Sequence, residues 1–307
     1  MTPSPRSRPF DATLPSYPFH DPADKRRFLR LVRDRLGRGG HRVVIRDGAA
    51  LVEGHPGWHS LRNLAQTCRQ HPPAEWPRLV DHHFDLSDRL STPEVVGDVF
   101  GGELDHQLDR VGVRIHPEEF VASGLGQHVL HRCDLPGTVS TLTLDVGPSV
   151  MQLPPLVARE WGLAEDELFA RALRNLDALC TARWRRLSVP YGHGVELDVL
   201  CDDFYAAACA LRPRASLPRV GRHGNLLAIP TRELLLSWPL DDLRTMHAIE
   251  VMVGMSCQAH RDGPGSIVPD LYWRGPDDRW ERQRAAFPGG RVQLSPGPGF
   301  AALLERR

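Results

Sequence analysis

Fifteen histidines in a chain of 307 residues raise metal chemistry first. His128, His131 and Cys133 lie close together, and on a strand His131 and Cys133 would share a face. Zinc takes four ligands, so the remainder of its shell would have to come from distant segments. Asp81-His82-His83 puts a carboxylate and two imidazoles within one helical turn. Only His83 extends the apolar stripe of that helix, and adjacent residues point apart. His55 and His59 are four apart, but Pro56-Gly57 between them spoils the helical geometry. No HExxH pair is present. His82, His83, His128 and His131 are therefore the residues of one alternative reading, a metal-assisted hydrolase.

Nucleophilic chemistry finds less. There is no GxSxG elbow. Cys201 precedes Asp202-Asp203 where a strand is expected to pass into a helix. A helix N-terminus lowers a thiol pKa, whereas two adjacent carboxylates raise it, and Asp202 reads better as an N-cap. Glu118-Glu119 and Asp202-Asp203 are adjacent pairs, not two acids facing one cleft. Gly37-Arg38-Gly39-Gly40 follows a helix instead of opening one, and Gly192-His193-Gly194 joins two strands, so neither is a phosphate loop. Met246, Met252 and Met255 hold three of the five methionines on one predicted helix. Methionine fills cores and also adapts to varied partners, which makes this trio the candidate peptide-binding surface.

Composition narrows the partners. Lys and Arg together number 38, equal to Asp plus Glu, so no net field favours a polyphosphate or an anionic membrane. Nucleic-acid and membrane binding are disfavoured, and no cofactor motif appears. Lys25 is the only lysine, a bias that fits arginine-rich coding better than a site, because the arginines are scattered. The six cysteines lie far apart without a CxxC pair, and several sit among apolar neighbours, as expected of free thiols in a cytoplasm. No stretch reaches the roughly 18 apolar residues of a membrane helix.

These residues must be positioned by a pattern that returns four times: strand, tight turn, strand, helix. It runs through residues 41–53 and a helix from 57, through 139–153 and a helix ending at 180, through 185–200 and a helix from 202, and through 226–237 and a helix from 241. Residues 271–280 read as a closing hairpin. Such units imply an α+β fold in which antiparallel sheets are covered by helices, arranged as two similar lobes. In residues 139–146, Leu142, Leu144 and Val146 alternate with Thr141, Thr143 and Asp145, which predicts one buried and one wet face. Residues 165–180 carry the clearest helical stripe, Leu168, Phe169, Ala172, Leu176 and Leu179. Asp24 is expected to cap the helix ending at Leu36, and a short helix is expected near Pro93. The domain reading is a proline-rich tail over 1–22, a lobe over 23–110, a larger domain over 111–287 and a loose tail over 288–307.

Three segments resemble a known family. Leu142-Thr143-Leu144-Asp145-Val146-Gly147, the helix ending Leu173-Arg174-Asn175-Leu176, and the hairpin from Leu226 through Pro230-Thr231-Arg232 to Leu235 are similar to the YtpQ-like bacterial proteins of unknown function. Leu61-Arg62-Asn63-Leu64 repeats the helix signature, which suggests an internal duplication. The resemblance spans roughly residues 111–280 and implies a fold, not an activity. By analogy of fold, paired hairpin-helix lobes are similar to secretion chaperones, which bind extended peptides. The expectation is a cytoplasmic, non-catalytic module that binds a protein or peptide at a sheet edge or a helix-lined groove.

Overall fold

A computed structural model describes residues 19, 21–38, 40–46, 48–53, 59–90, 97, 99–121, 129–147, 149–189, 194–241 and 245–305. It divides into two compact units, Met1–Val95 and Val96–Arg307. The α+β class expected from the repeats is what forms: three antiparallel sheets with helices packed on them.

In the first unit, helix α1 (Pro22–Leu36) precedes strands β1 (Val43–Arg46), β2 (Ala49–Val52) and β3 (His59–Ser60), then α2 (Arg62–Arg69) and α3 (Trp76–Leu90). Asp21, not Asp24, caps α1, its carboxylate accepting from the Ala23 N–H at 2.7 Å. The helix buries Phe28, Val32 and Leu36, and these meet Ala50, Leu64, Cys68, Trp76, Val80 and Phe84 in one core. The expected 1–22 tail, apart from Phe19 and the cap at residues 21–22, the helix near Pro93, His55, His128 and the Gly192-His193 turn lie outside the described residues.

The second unit begins earlier than the expected boundary near residue 110. Helix α4 (Leu104–Asp109) is tied to α6 (Glu165–Leu179) by Asn175, whose amide donates to the Leu108 and Val111 carbonyls at 2.7 and 2.8 Å. The smaller sheet is built on β6 (Thr138–Asp145), with β4 (Val111–Pro117) along one edge and β5 (His131–Arg132) and β7 (Val150–Gln152) along the other. After β7 comes the short helix α5 (Pro155–Glu160), and α6 then packs Leu168, Phe169, Ala172 and Leu176 inward over β4 and β6.

The larger sheet holds β8 (Arg185–Ser188), β9 (Glu196–Cys201), β10 (Asn225–Thr231), β11 (Leu234–Pro239), β12 (Leu271–Arg274), β13 (Trp280–Ala286) and β14 (Gln293–Ser295) in the order β14-β13-β12-β10-β11-β9-β8. Helix α7 (Thr245–Asp262) crosses β10, β12 and β13.

Three expectations are corrected. No α-helix starts at Asp202. That residue takes φ +65°, outside the helical region, and a 3-10 turn over Ala207–Leu211 follows instead, ending before Pro213. The polar face of β6 is not wet: Thr141 and Thr143 are fully buried. The segment after residue 287 is not loose. It supplies β14 and α8 (Pro298–Glu305), whose Phe300 is buried in the core and whose first turn is held by Glu281, accepting from the Gly299 and Phe300 N–H groups at 2.9 and 3.0 Å.

Candidate functional site

The methionine trio does not form a surface. Met252 is fully buried in the core beneath α7, Met255 packs partly against the same core, and Met246 alone is open, at 55% exposure. Residues six and nine apart on an α-helix are rotated far from one face, so one groove cannot take all three. The histidines are equally dispersed. His82 is exposed on α3, and its neighbour His83 is half-buried, edge-on to Phe84, its pKa lowered by burial and then by His59 and His82. Both belong to the first unit. His131 belongs to the second, exposed, with Nδ1 3.2 Å from the Val129 carbonyl. Among the described residues, no three His, Cys, Asp or Glu side chains gather as a metal shell.

What the fold does gather is the face of the smaller sheet that alternation marked as wet. Pairing Arg114 with Thr141, Gly112 with Thr143 and Thr143 with Gln152 puts these residues on one side of the sheet, with His116 two residues beyond Arg114. Gln152 of β7 reaches His116 of β4 across β6, with 3.3 Å between Nε2 atoms. Tyr205 closes over it from the turn after β9. A Cβ on Gly112 would lie 2.6 Å from the Tyr205 ring, so only glycine leaves room there. Phe120 stacks on His116 with centroids 4.1 Å apart, and Phe204 lies 5.8 Å from the Arg114 guanidinium.

This face is polar, buried and short of partners. Arg114 is 7% exposed and His116 6%. Arg114 Nε, Thr141 Oγ1, Gln152 Oε1 and Arg232 Nε are buried without a hydrogen-bond partner. The Tyr205 hydroxyl and Thr143 Oγ1 are neighbours without a well-formed bond between them. Arg232, from the β10–β11 turn, lies against Gly265, where a Cβ would fall 2.5 Å from Nε. Burial first, then the like charge of Arg232, pushes Arg114 down to about 9, with Tyr205 and Glu233 opposing. Burial and the two arginines hold His116 well below its ordinary value, so its ring is neutral at physiological pH. No carboxylate among the described residues makes an ion pair with either arginine. Sequence reading passed over both arginines because scattered arginine looked compositional. The signal available was Arg114 and His116 on the non-apolar face of the Val111, Val113, Ile115 strand.

Beside this face a cavity of about 480 Å³ is lined by Asp145, Asp202, Asp203, Glu233, Phe204 and Tyr205. Its acids are largely engaged. Asp203 accepts from the Thr181, Ala182 and Tyr205 N–H groups at 2.8–3.1 Å, Asp145 accepts from the Gly147 N–H at 2.9 Å, and Asp202 accepts from the Cys201 thiol at 3.1 Å. The thiol pKa of Cys201 is raised by burial and by Asp202, which disfavours the thiolate.

A second feature lies at the rim of the larger sheet. Among the described residues, strand β8 pairs with β9 along one edge only, and all four of its residues are exposed. Arg186 makes long contacts to Glu196 and Asp198 at 3.8 and 3.9 Å, and Arg185 makes no ion pair with a described residue.

No protein-family model, curated protein or solved structure matches the chain. The YtpQ-like resemblance therefore rests on its motifs, and two of these have structural work. Asp145 closes the turn through Gly147, and Asn175 ties α6 to the start of β4. Among the described residues no helix is long and apolar enough to cross a membrane.

Proposed function

We propose that the chain is a non-catalytic binding module that captures an extended, acidic polypeptide segment along the free edge of β8. The observation that carries this reading is the strand Arg185-Arg186-Leu187-Ser188, exposed on both faces at the end of a seven-stranded sheet. An unpaired edge offers backbone donors and acceptors that an added strand satisfies. Arginines on that edge repel a second copy of themselves and attract a strand bearing Asp or Glu, which selects the partner. The edge survives from the sequence-based expectation. The methionine groove does not, because Met252 is core. Affinity that rests on exposed arginines weakens as the Debye length shortens.

The pairing register supplies a clean test. The Val189 N–H donates to the Val195 carbonyl, so by antiparallel alternation Leu187 and Arg185 face β9 while the N–H groups of Arg186 and Ser188 point outward. Ser188→Pro removes one outward donor without touching the β8–β9 ladder, and proline is tolerated on edge strands. A β-prone peptide with alternating Glu is the probe. Its binding to the full chain falls about tenfold or more in the proline variant and falls with added salt. Equal binding by the variant, or equal binding of a peptide with Lys in place of Glu, refutes the reading.

A further inference from the structure

The buried polar face of the smaller sheet is independent of β8 and poses its own physical problem. Buried polar atoms are satisfied in native proteins almost without exception, because each orphan costs about 1–3 kcal/mol. Here the orphans are concentrated: Arg114 Nε, Thr141 Oγ1, Gln152 Oε1 and Arg232 Nε. Arg114 is the most demanding of them, since an unpaired buried guanidinium is costlier than any neutral group. Its guanidinium forms no hydrogen bond or ion pair with a described residue; Phe204 lies over it, and the charges of Arg232 and Glu233 act on it from beyond ion-pair reach. Folding alone gives no reason for such a group, and the natural reason is a ligand that brings the missing acceptors.

We propose that this face binds a phosphate group, held by Arg114 and Arg232 with the Thr141 hydroxyl donating from the sheet. Two cations suit a dianion better than a carboxylate, and a tetrahedral oxyanion accepts from the strand face and from the β10–β11 turn at once. His116, neutral and held by Gln152 and Phe120, forms a polar wall and brings no third charge. Phe204, at 39% exposure, covers Arg114 on the side of the 480 Å³ cavity that it lines with Tyr205. Glu233 opposes the loss of charge that burial imposes on both arginines, without pairing with them.

The test uses the full chain in phosphate-free buffer, titrated calorimetrically with inorganic phosphate and, separately, with acetate. Saturable binding of phosphate, stronger than acetate, is expected. Arg114→Met keeps the unbranched apolar stem and removes the charged head, and it weakens phosphate about tenfold to a hundredfold. It also leaves Tm without ligand unchanged or raised, because an uncompensated buried charge has gone. A structural arginine would lower Tm. Thr141→Val, nearly isosteric, weakens phosphate while the chain stays folded, which keeps the proposal testable if the arginine variant misfolds. Absence of saturable phosphate binding overturns the proposal. So does binding that neither substitution changes, which would place the anion elsewhere, and so does acetate binding as tightly as phosphate, which would make the ligand group a carboxylate.

Discussion

Gly112→Ala tests whether Tyr205 closes over the polar face of the smaller sheet. Gly112 does not have a positive φ, so alanine meets no backbone strain there and gains about 0.4–1 kcal/mol from the unfolded chain. The cost is steric. The added Cβ would sit 2.6 Å from Tyr205 Cε1, 2.9 Å from Cζ and 3.0 Å from the hydroxyl, against an ordinary carbon–carbon contact of about 3.5–4.0 Å. The ring cannot swing into solvent to make the missing ångström: Tyr205 is fully buried, and its N–H is held by Asp203 at 2.8 Å. Overpacking costs about 1–3 kcal/mol, and a 2.6 Å contact with a ring that cannot move falls in the upper half of that range, about 2–3 kcal/mol, which leaves a net loss of about 1–2.6 kcal/mol after the entropic gain. For a unit of this size that lowers Tm by about 2–10 °C in scanning calorimetry. Tyr205→Leu in the same background relieves the clash, so the double variant loses less than the sum of the singles. An unchanged or raised Tm for Gly112→Ala, or strict additivity with Tyr205→Leu, would mean that the ring does not lie on this strand.

Leu176 is fully buried on α6 against β4 and β6, so Leu176→Ala costs about 2–5 kcal/mol in denaturant unfolding, and a loss below about 1 kcal/mol would remove α6 from that sheet. All six cysteines are free, and alkylation of the unfolded, unreduced chain followed by mass spectrometry should find six modified thiols. Stability should fall as pH drops below about 6.5, the ordinary histidine value. His116 and His83 have lowered pKa values, so the unfolded chain takes up protons there that the native chain refuses, and stability is full only above that pH. Each contributes a slope of up to about 1.4 kcal/mol per pH unit, and His116→Gln should flatten the urea-midpoint profile between pH 7 and 5. A profile that the substitution leaves unchanged would place a charged imidazole at position 116.

The sequence by itself determined the local elements. The Leu168/Ala172/Leu176 spacing made α6, alternation made β6 and its turn at Gly147, and the residues around Arg232 made the β10–β11 hairpin, because periodicity and turn chemistry are properties of near neighbours. Together they fixed the α+β class. Tertiary structure decided which face of each element is covered. Thr141 and Thr143 read as solvent-facing, since a polar side chain is normally wet, yet Tyr205, some sixty residues later, seals them in. Met246, Met252 and Met255 read as one surface, but the orientation of α7 on its sheet sent Met252 into the core and Met246 outward. The run after Asp202 does not continue as an α-helix, since Asp202 takes φ +65° and the 3-10 turn over Ala207–Leu211 ends before Pro213. Arg114 and Arg232 converge from different sheets, 118 positions apart in the chain, and long-range charge proximity of that kind leaves no trace in local spacing.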